Sequence, residues 1–278
     1  MDTITIHYPL STINYTIIYL IIRKEDLMEP IYRQKFHIDP VAVDCFGRLK
    51  PSMLLLYAQE VAGHHSDLLS FTYDALANRG LFWAVIRNRV QITRLPREHE
   101  TITLETWPMP TTRTAYPRST VAYDEQGREL FRSVSLWVLM DRESRTMVLP
   151  GKSGVDLEGT LRGLELASPR SLAPRSLSSS RSRGVCFTDL DVNGHMNNTR
   201  YLDWIMDLLP SQFHRSHEIK DFTLCYINEA REGQSLEQTW ELDETGALQV
   251  DIRRQKEEPT GDYDRIFAAK VEFEISVL

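Results

Sequence analysis

Asp44-Cys-Phe-Gly-Arg-Leu-Lys-Pro-Ser-Met-Leu-Leu-Leu-Tyr57 lies over Asp191-Val-Asn-Gly-His-Met-Asn-Asn-Thr-Arg-Tyr-Leu-Asp-Trp204 without a gap, and this overlay decides how the chain is read. The aspartates, the glycines (Gly47, Gly194), Leu49 with Met196, and Tyr57 with Trp204 fall in register. Each copy starts with a short polar stretch and runs into apolar residues at helical spacing. These are Leu54, Tyr57, Ala58, Val61 and Leu68 in the first copy and Tyr201, Trp204, Ile205 and Leu208 in the second, where Pro210 stops the pattern. Ser52 and either Asn198 or Thr199 are the expected N-caps.

After each helix come segments rich in β-branched and aromatic residues, which read as strands. In the first half they are 82–93, 101–107, 115–123 and 129–140, separated by Leu95-Pro96, Pro108-Met-Pro110 and Asp124-Glu-Gln-Gly127. In the second half they are 220–226, 235–242, 247–254 and 263–277, with turns at Asp243-Glu-Thr-Gly246 and Pro259-Thr-Gly-Asp262. Thr101-Ile-Thr-Leu-Glu-Thr-Trp107 and Gln234-Ser-Leu-Glu-Gln-Thr-Trp240 read as one strand in two copies. A helix followed by several antiparallel strands, twice over, is an α+β arrangement in which a curled sheet wraps its helix. Residues 151–184, rich in Ser, Arg, Pro and Leu, read as a linker between a unit at 28–150 and a unit at 185–278, with 1–27 as an N-terminal extension.

The bulk properties exclude several classes. A 42% hydrophobic and 26% charged composition is that of an ordinary folded protein rather than a disordered one. A net charge of −7 argues against general nucleic-acid binding. Cys45, Cys186 and Cys225 are far apart and odd in number, so neither a disulfide framework nor a zinc site is expected, and a reducing cytosol fits. The apolar run Ile13–Ile22 is too short for a bilayer, which needs roughly 20 residues. It also lacks the flanks of a secretory signal. Met28 is an alternative start.

The chemistry concentrates in Thr188-Asp-Leu-Asp-Val-Asn-Gly-His-Met-Asn-Asn198. Asp191, Asn193 and His195 alternate, so an extended segment would project a carboxylate, an amide and an imidazole from one side, beside the N–H groups of a helix start. An imidazole titrates near neutrality, which suits general-base work. Spacing alone is equally satisfied by an Asx-rich turn that only caps the helix. An EF-hand reading fails because the twelfth position, counted from Asp189, is Arg200 instead of Glu. The first copy weighs against a purely structural role: it keeps the turn residues Asp44 and Gly47 but has Phe46 and Arg48 where the second has Asn193 and His195.

Phe82-Trp-Ala-Val-Ile-Arg87, Ile102-Thr-Leu-Glu-Thr-Trp107, Ser135-Leu-Trp-Val-Leu-Met-Asp-Arg142 and above all Asp189–Asn198 with Tyr201 and Trp204 resemble the acyl-acyl-carrier-protein thioesterases of the plant FatA/FatB type and their bacterial relatives, from about Ile31 onward. The resemblance implies a tandem (double) hotdog, each an antiparallel sheet wrapped around a long central helix, with an acyl-chain tunnel in the first and catalytic groups in the second. It implicates Asp191, Asn193 and His195, and places the family glutamate on Glu229. The family cysteine beside that glutamate is Ala230 here, so water activated by His195 and Glu229 replaces a cysteine nucleophile. Asn193 would orient water or the carbonyl, and Asp191 would orient the network. Strand alternation would set Cys225 on the face of Glu229, at no family position.

The implied activity is hydrolysis of fatty acyl-acyl-carrier-protein in a cytoplasmic fatty-acid pathway, with no cofactor. An acyl-CoA thioesterase of the same fold and a non-catalytic acyl-binding protein are the alternatives. An acidic carrier would dock on basic residues, for which Arg170, Arg175, Arg181 and Arg183, or Arg87, Arg89 and Arg94, are the sequence candidates. No stable membrane insertion is expected, and the chain would be a monomer or homodimer. Gly151-Lys152-Ser153 lacks the earlier glycine of a P-loop, and no G-x-S-x-G elbow occurs.

Overall fold

The computed structural model describes residues 30–256 and 262–276. The extension 1–27 and residues 259–261 of the expected turn lie outside them. In chain order the elements are β1 (Tyr32–His37), α1 (Pro51–Leu68), α2 (Tyr73–Ala77), β2 (Leu81–Ile92), β3 (Thr101–Pro108), β4 (Tyr116–Tyr123) and β5 (Glu129–Asp141). Then follow β6 (Met147–Val148), α3 (Pro150–Ser153), β7 (Ser179–Gly184), α4 (Arg200–Met206), α5 (Ser211–Ser216), β8 (His217–Tyr226), β9 (Ser235–Leu242), β10 (Ala247–Gln255) and β11 (Tyr263–Ile275).

The long strands form one antiparallel sheet in the order β1-β3-β4-β5-β2-β8-β11-β10-β9-β7, with β6 paired to β5. Each half runs in the same order from an outer edge to a central strand. The halves meet where β2 pairs with β8 from Arg87↔Cys225 to Gln91↔Asp221. An Arg89–Asp221 ion pair at 3.1 Å ties the seam. One core cluster crosses it, joining Leu54, Leu55 and Val61 of α1 to Tyr201, Leu202, Trp204 and Ile205 of α4. Burying both helices against one sheet removes their apolar faces from water, at about 25 cal/mol per Å².

The repeat is exact in topology but not in helix length. α1 begins with Pro51 at its first position, where the missing N–H costs nothing, and no side chain caps it. Ser52 is therefore not the cap. Leu68 is exposed at the helix end. In the second half Thr199 stands at the N-cap as expected but caps no N–H with its side chain; Asn197 Oδ1 holds it in place, accepting from Thr199 N at 2.9 Å. The helix there ends at Met206, and Pro210 opens α5 rather than closing α4, because proline at the start of a helix loses no bond.

Two sequence expectations are corrected. Trp107 and Trp240 are not equivalent: Tyr32 pairs with Thr106 and its counterpart Ser179 pairs with Trp240, a shift of one residue. On a strand that shift reverses the face. Trp240 packs on the core, whereas Trp107 turns outward and donates from Nε1 to Glu165 Oε1 at 3.0 Å. The expected linker 151–184 ends in the edge strand β7. Its inward positions are Arg181 and Arg183, whose guanidinium groups lie over the rings of Trp240 and Trp204. Arginine stems cover apolar surface there, so the β-branched signal of a strand is missing. The preceding residues are a strap across the outer face of the sheet: Leu164 O accepts from Arg132, Pro169 O from Arg87, Arg170 O from Cys225, and Leu172 O from Arg265.

Candidate active site

Residues 190–199 form a turn instead of an extended segment. Leu190 and Met196 bridge its base, and Gly194 sits at φ 72°, a left-handed conformation that glycine adopts without a Cβ penalty. Asp191 Oδ1 accepts the backbone N–H of Asn193 at 2.8 Å and of His195 at 3.3 Å. Asp44 does the same for Phe46 and Arg48 in the first copy, with Gly47 also at φ 72°. Asp191 thus shapes the turn. Among the described residues no hydrogen bond joins its carboxylate to the His195 ring.

The turn delivers the imidazole to a partner distant in sequence. Met196 N donates to Ala230 O at 2.8 Å, which fixes the segment after β8 alongside the turn. His195 Nε2 then lies 3.2 Å from Glu229 Oε2, the imidazole largely covered and the carboxylate 44% exposed. Arg145, from the turn between β5 and β6, pairs with the other carboxylate oxygen, Oε1. Sequence reading overlooked Arg145, since nothing local marks a turn arginine that meets a residue 84 positions away.

Asp191, Asn193, His195 and Glu229 line one groove of about 350 Å³. Asn193 is exposed at its rim. The opposite wall comes from the first half: Gln59 of α1, Phe82 to Ile86 of β2, and Trp137 of β5. Gln59, Trp83 and Trp137 also line a second cavity, of about 210 Å³, beneath α1, which continues past Ala62 and Tyr116 to Arg118. The two cavities thus share Gln59, Trp83 and Trp137 as common lining, one on the His195 side and one in the first half. Tyr201 and Tyr226 stand beside the groove, and burial raises both phenols. The Tyr226 hydroxyl donates to Asn198 O at 3.2 Å.

The first copy has no such site. Arg48, at the position of His195, is buried and spans Asp44 Oδ2 at 3.0 Å and His214 O at 2.9 Å, locking the first half's turn to α5. Cys225 is not an alternative nucleophile. Phe222, Leu224 and Tyr226 face the core, so Cys225 faces outward under the strap, and the strand ends before its alternation reaches Glu229. Burial pushes its thiol up. Ala230 is buried and holds the turn through its carbonyl. Among the described residues, no group of three or more His, Cys, Asp or Glu is placed to hold a metal ion.

A helix with a sheet wrapped round it, built twice and joined edge to edge through β2 and β8, makes this a tandem hotdog protein. The chain belongs to the acyl-ACP thioesterase family: residues 29–149 match the model of the acyl-ACP thioesterase N-terminal domain and residues 174–274 that of the C-terminal domain. It is 28% identical over 217 residues to a palmitoyl-acyl carrier protein thioesterase, chloroplastic, of Gossypium hirsutum, an alignment covering 72% of this chain and 52% of that one. The chain spans about half the length of the curated relatives it matches. Among solved structures, an acyl-ACP thioesterase from Bacteroides thetaiotaomicron VPI-5482 superposes with a TM-score of 0.76 at 23% identity, covering 91% of this chain and 100% of that one. The 12:0-ACP thioesterase from Umbellularia californica gives 0.74 at 21% identity, covering 90% and 99%.

Proposed function

We propose that the chain hydrolyses fatty acyl-acyl-carrier-protein to free fatty acid and carrier protein bearing its thiol. The observation that carries this reading is the His195–Glu229 pair at 3.2 Å, set in a groove that shares Gln59, Trp83 and Trp137 with a cavity in the first half. In this mechanism a water beside His195 attacks the thioester carbonyl carbon as its proton passes to the imidazole, whose positive charge Glu229 offsets. The tetrahedral intermediate collapses with cleavage of the C–S bond, and the leaving thiolate takes up the proton. The Asn193 amide donates to the carbonyl oxygen as it gains charge, and Asp191 holds Asn193 and His195 in place through their backbones. The acyl chain lies along Trp83 and Trp137 towards Tyr116.

Docking of an acidic carrier falls to Arg170 and Arg175 on the strap, both exposed and, among the described residues, without an ion pair. Arg181 and Arg183 are committed elsewhere: Arg181 donates to Asp207 O at 3.1 Å and Arg183 pairs with Asp207 at 2.8 Å, where cations suit a helix C-terminus. Arg89 and Arg94 are paired with Asp221 and Glu100. Among the described residues no helix is long and apolar enough to cross a membrane. The reading places the reaction in the cytoplasm.

The test is hydrolysis across chain lengths with matched acyl-carrier-protein and coenzyme A substrates, comparing the native chain with Asn193→Ala, His195→Ala and Glu229→Ala. Each variant is expected to lose most of kcat on carrier-protein substrates. Preference for coenzyme A would reassign the substrate, and tight acyl binding without turnover would make the chain a binding protein.

A further inference from the structure

The two oxygens of Glu229 are divided between two partners, Oε2 to His195 and Oε1 to Arg145. Arg145 is itself held firmly. Its backbone is left-handed at φ 56°, a costly conformation for a residue with a Cβ, and one that persists only where the surroundings impose it. Asp141 imposes it here: its Oδ1 accepts from Ser144 N at 2.8 Å and Glu143 N at 3.1 Å, and its carbonyl accepts from Arg145 N at 3.1 Å. The guanidinium lies 4.6 Å from the ring centre of Phe82, a wall of the groove. Glu229, by contrast, follows the end of β8 in a segment without regular structure and is 44% exposed. Left alone, such a carboxylate samples several rotamers, and only some meet the imidazole.

We infer that Arg145 is a positioning residue for the reaction: the first half supplies the cation that fixes the Glu229 carboxylate so that its second oxygen meets His195. This rests on the hydrolase reading, and makes the second half's site incomplete without the first. The other charged or titratable groups facing Glu229 are Arg254 of β10, whose NH1 donates to the Glu229 carbonyl at 3.4 Å, and the Tyr201 phenol of α4. Neither takes a carboxylate oxygen.

The experiment uses the full chain with Arg145→Met, Arg145→Lys, Glu229→Gln and the Arg145→Met/Glu229→Gln double variant. Arg145→Met is expected to lower kcat about tenfold to a hundredfold, part of what general-base catalysis contributes, with KM unchanged. Arg145→Lys should recover part of that loss, and the double variant should be no worse than Glu229→Gln alone, because both changes break one unit. Independently of turnover, a crystal structure of Arg145→Met should show the Glu229 carboxylate turned away from His195 Nε2, whereas Arg145→Lys should keep it there. Full kcat in Arg145→Met, additive losses in the double variant, or a Glu229 carboxylate still on His195 in Arg145→Met would each overturn the inference. A displaced carboxylate in a protein that hydrolyses no acyl thioester would instead uphold the positioning and reject the hydrolase reading.

Discussion

Glu229→Gln keeps the shape of the side chain and removes its charge, so it isolates the electrostatic part of the His195–Glu229 pair. In the proposed mechanism His195 takes the proton from water and becomes an imidazolium 3.2 Å from the carboxylate. Coulomb's law at that distance gives about 1 kcal/mol in water and about 5 kcal/mol at an effective dielectric of about 20. The imidazole is 14% exposed but the carboxylate 44%, so the environment lies between these limits, and about 2–3 kcal/mol is the reasonable share. That corresponds to a loss of roughly 30- to 150-fold in kcat. The carboxylate is expected to act on developing charge, so KM should stay near the native value. The assay is steady-state hydrolysis of an acyl-carrier-protein substrate, with Tm as the folding control. Retention of kcat within about threefold, or a loss confined to KM, would refute the argument, because no transition-state charge would then be felt at Glu229.

Cys225→Ala should leave kcat unchanged, and the native thiol should alkylate slowly at neutral pH, since burial raises it and the strap covers it; activity loss in steady-state assays would restore a cysteine mechanism. Gly194→Ala and Gly47→Ala both place a Cβ at φ 72°, costing about 1–2 kcal/mol each in denaturant unfolding, yet only Gly194→Ala should also depress kcat. Equal effects on kcat would mean that the two turns are not functionally distinct. Burial alone would raise the Glu105 carboxyl, but hydrogen bonds from Arg162 and Arg33 outweigh it and hold the group below its ordinary value. Its folded value being depressed, Glu105 contributes stability that is present above the unfolded value and lost as pH falls through the folded one. Glu105→Gln should therefore flatten the acid side of a Tm-against-pH curve, and an unchanged slope would show that the strap's Arg162 anchor carries no linkage.

The repeat and the strand-rich halves were legible in residue order alone, as was the contrast of Phe46 and Arg48 with Asn193 and His195 at matching turn positions. Those signals are local. An aspartate that accepts two N–H groups and a glycine at positive φ specify the same turn at Asp44–Arg48 and Asp191–His195, whatever packs around them. Alternation likewise placed β9, where Ser235–Leu242 matched its expected bounds. The nearest neighbours of the proposed catalytic groups were another matter. Glu229 was reached through family likeness, and Arg145 was missed, because each meets its partner only after β2 and β8 have joined the halves and Met196 has docked on Ala230. Trp107 and Trp240 show the same limit: similar strings of strand residues fit either face, and pairing with β1 and β7 sets the register. Backbone turns depend on a few adjacent residues, whereas a carboxylate's partners depend on which distant strands share a sheet, and only the tertiary structure decides that.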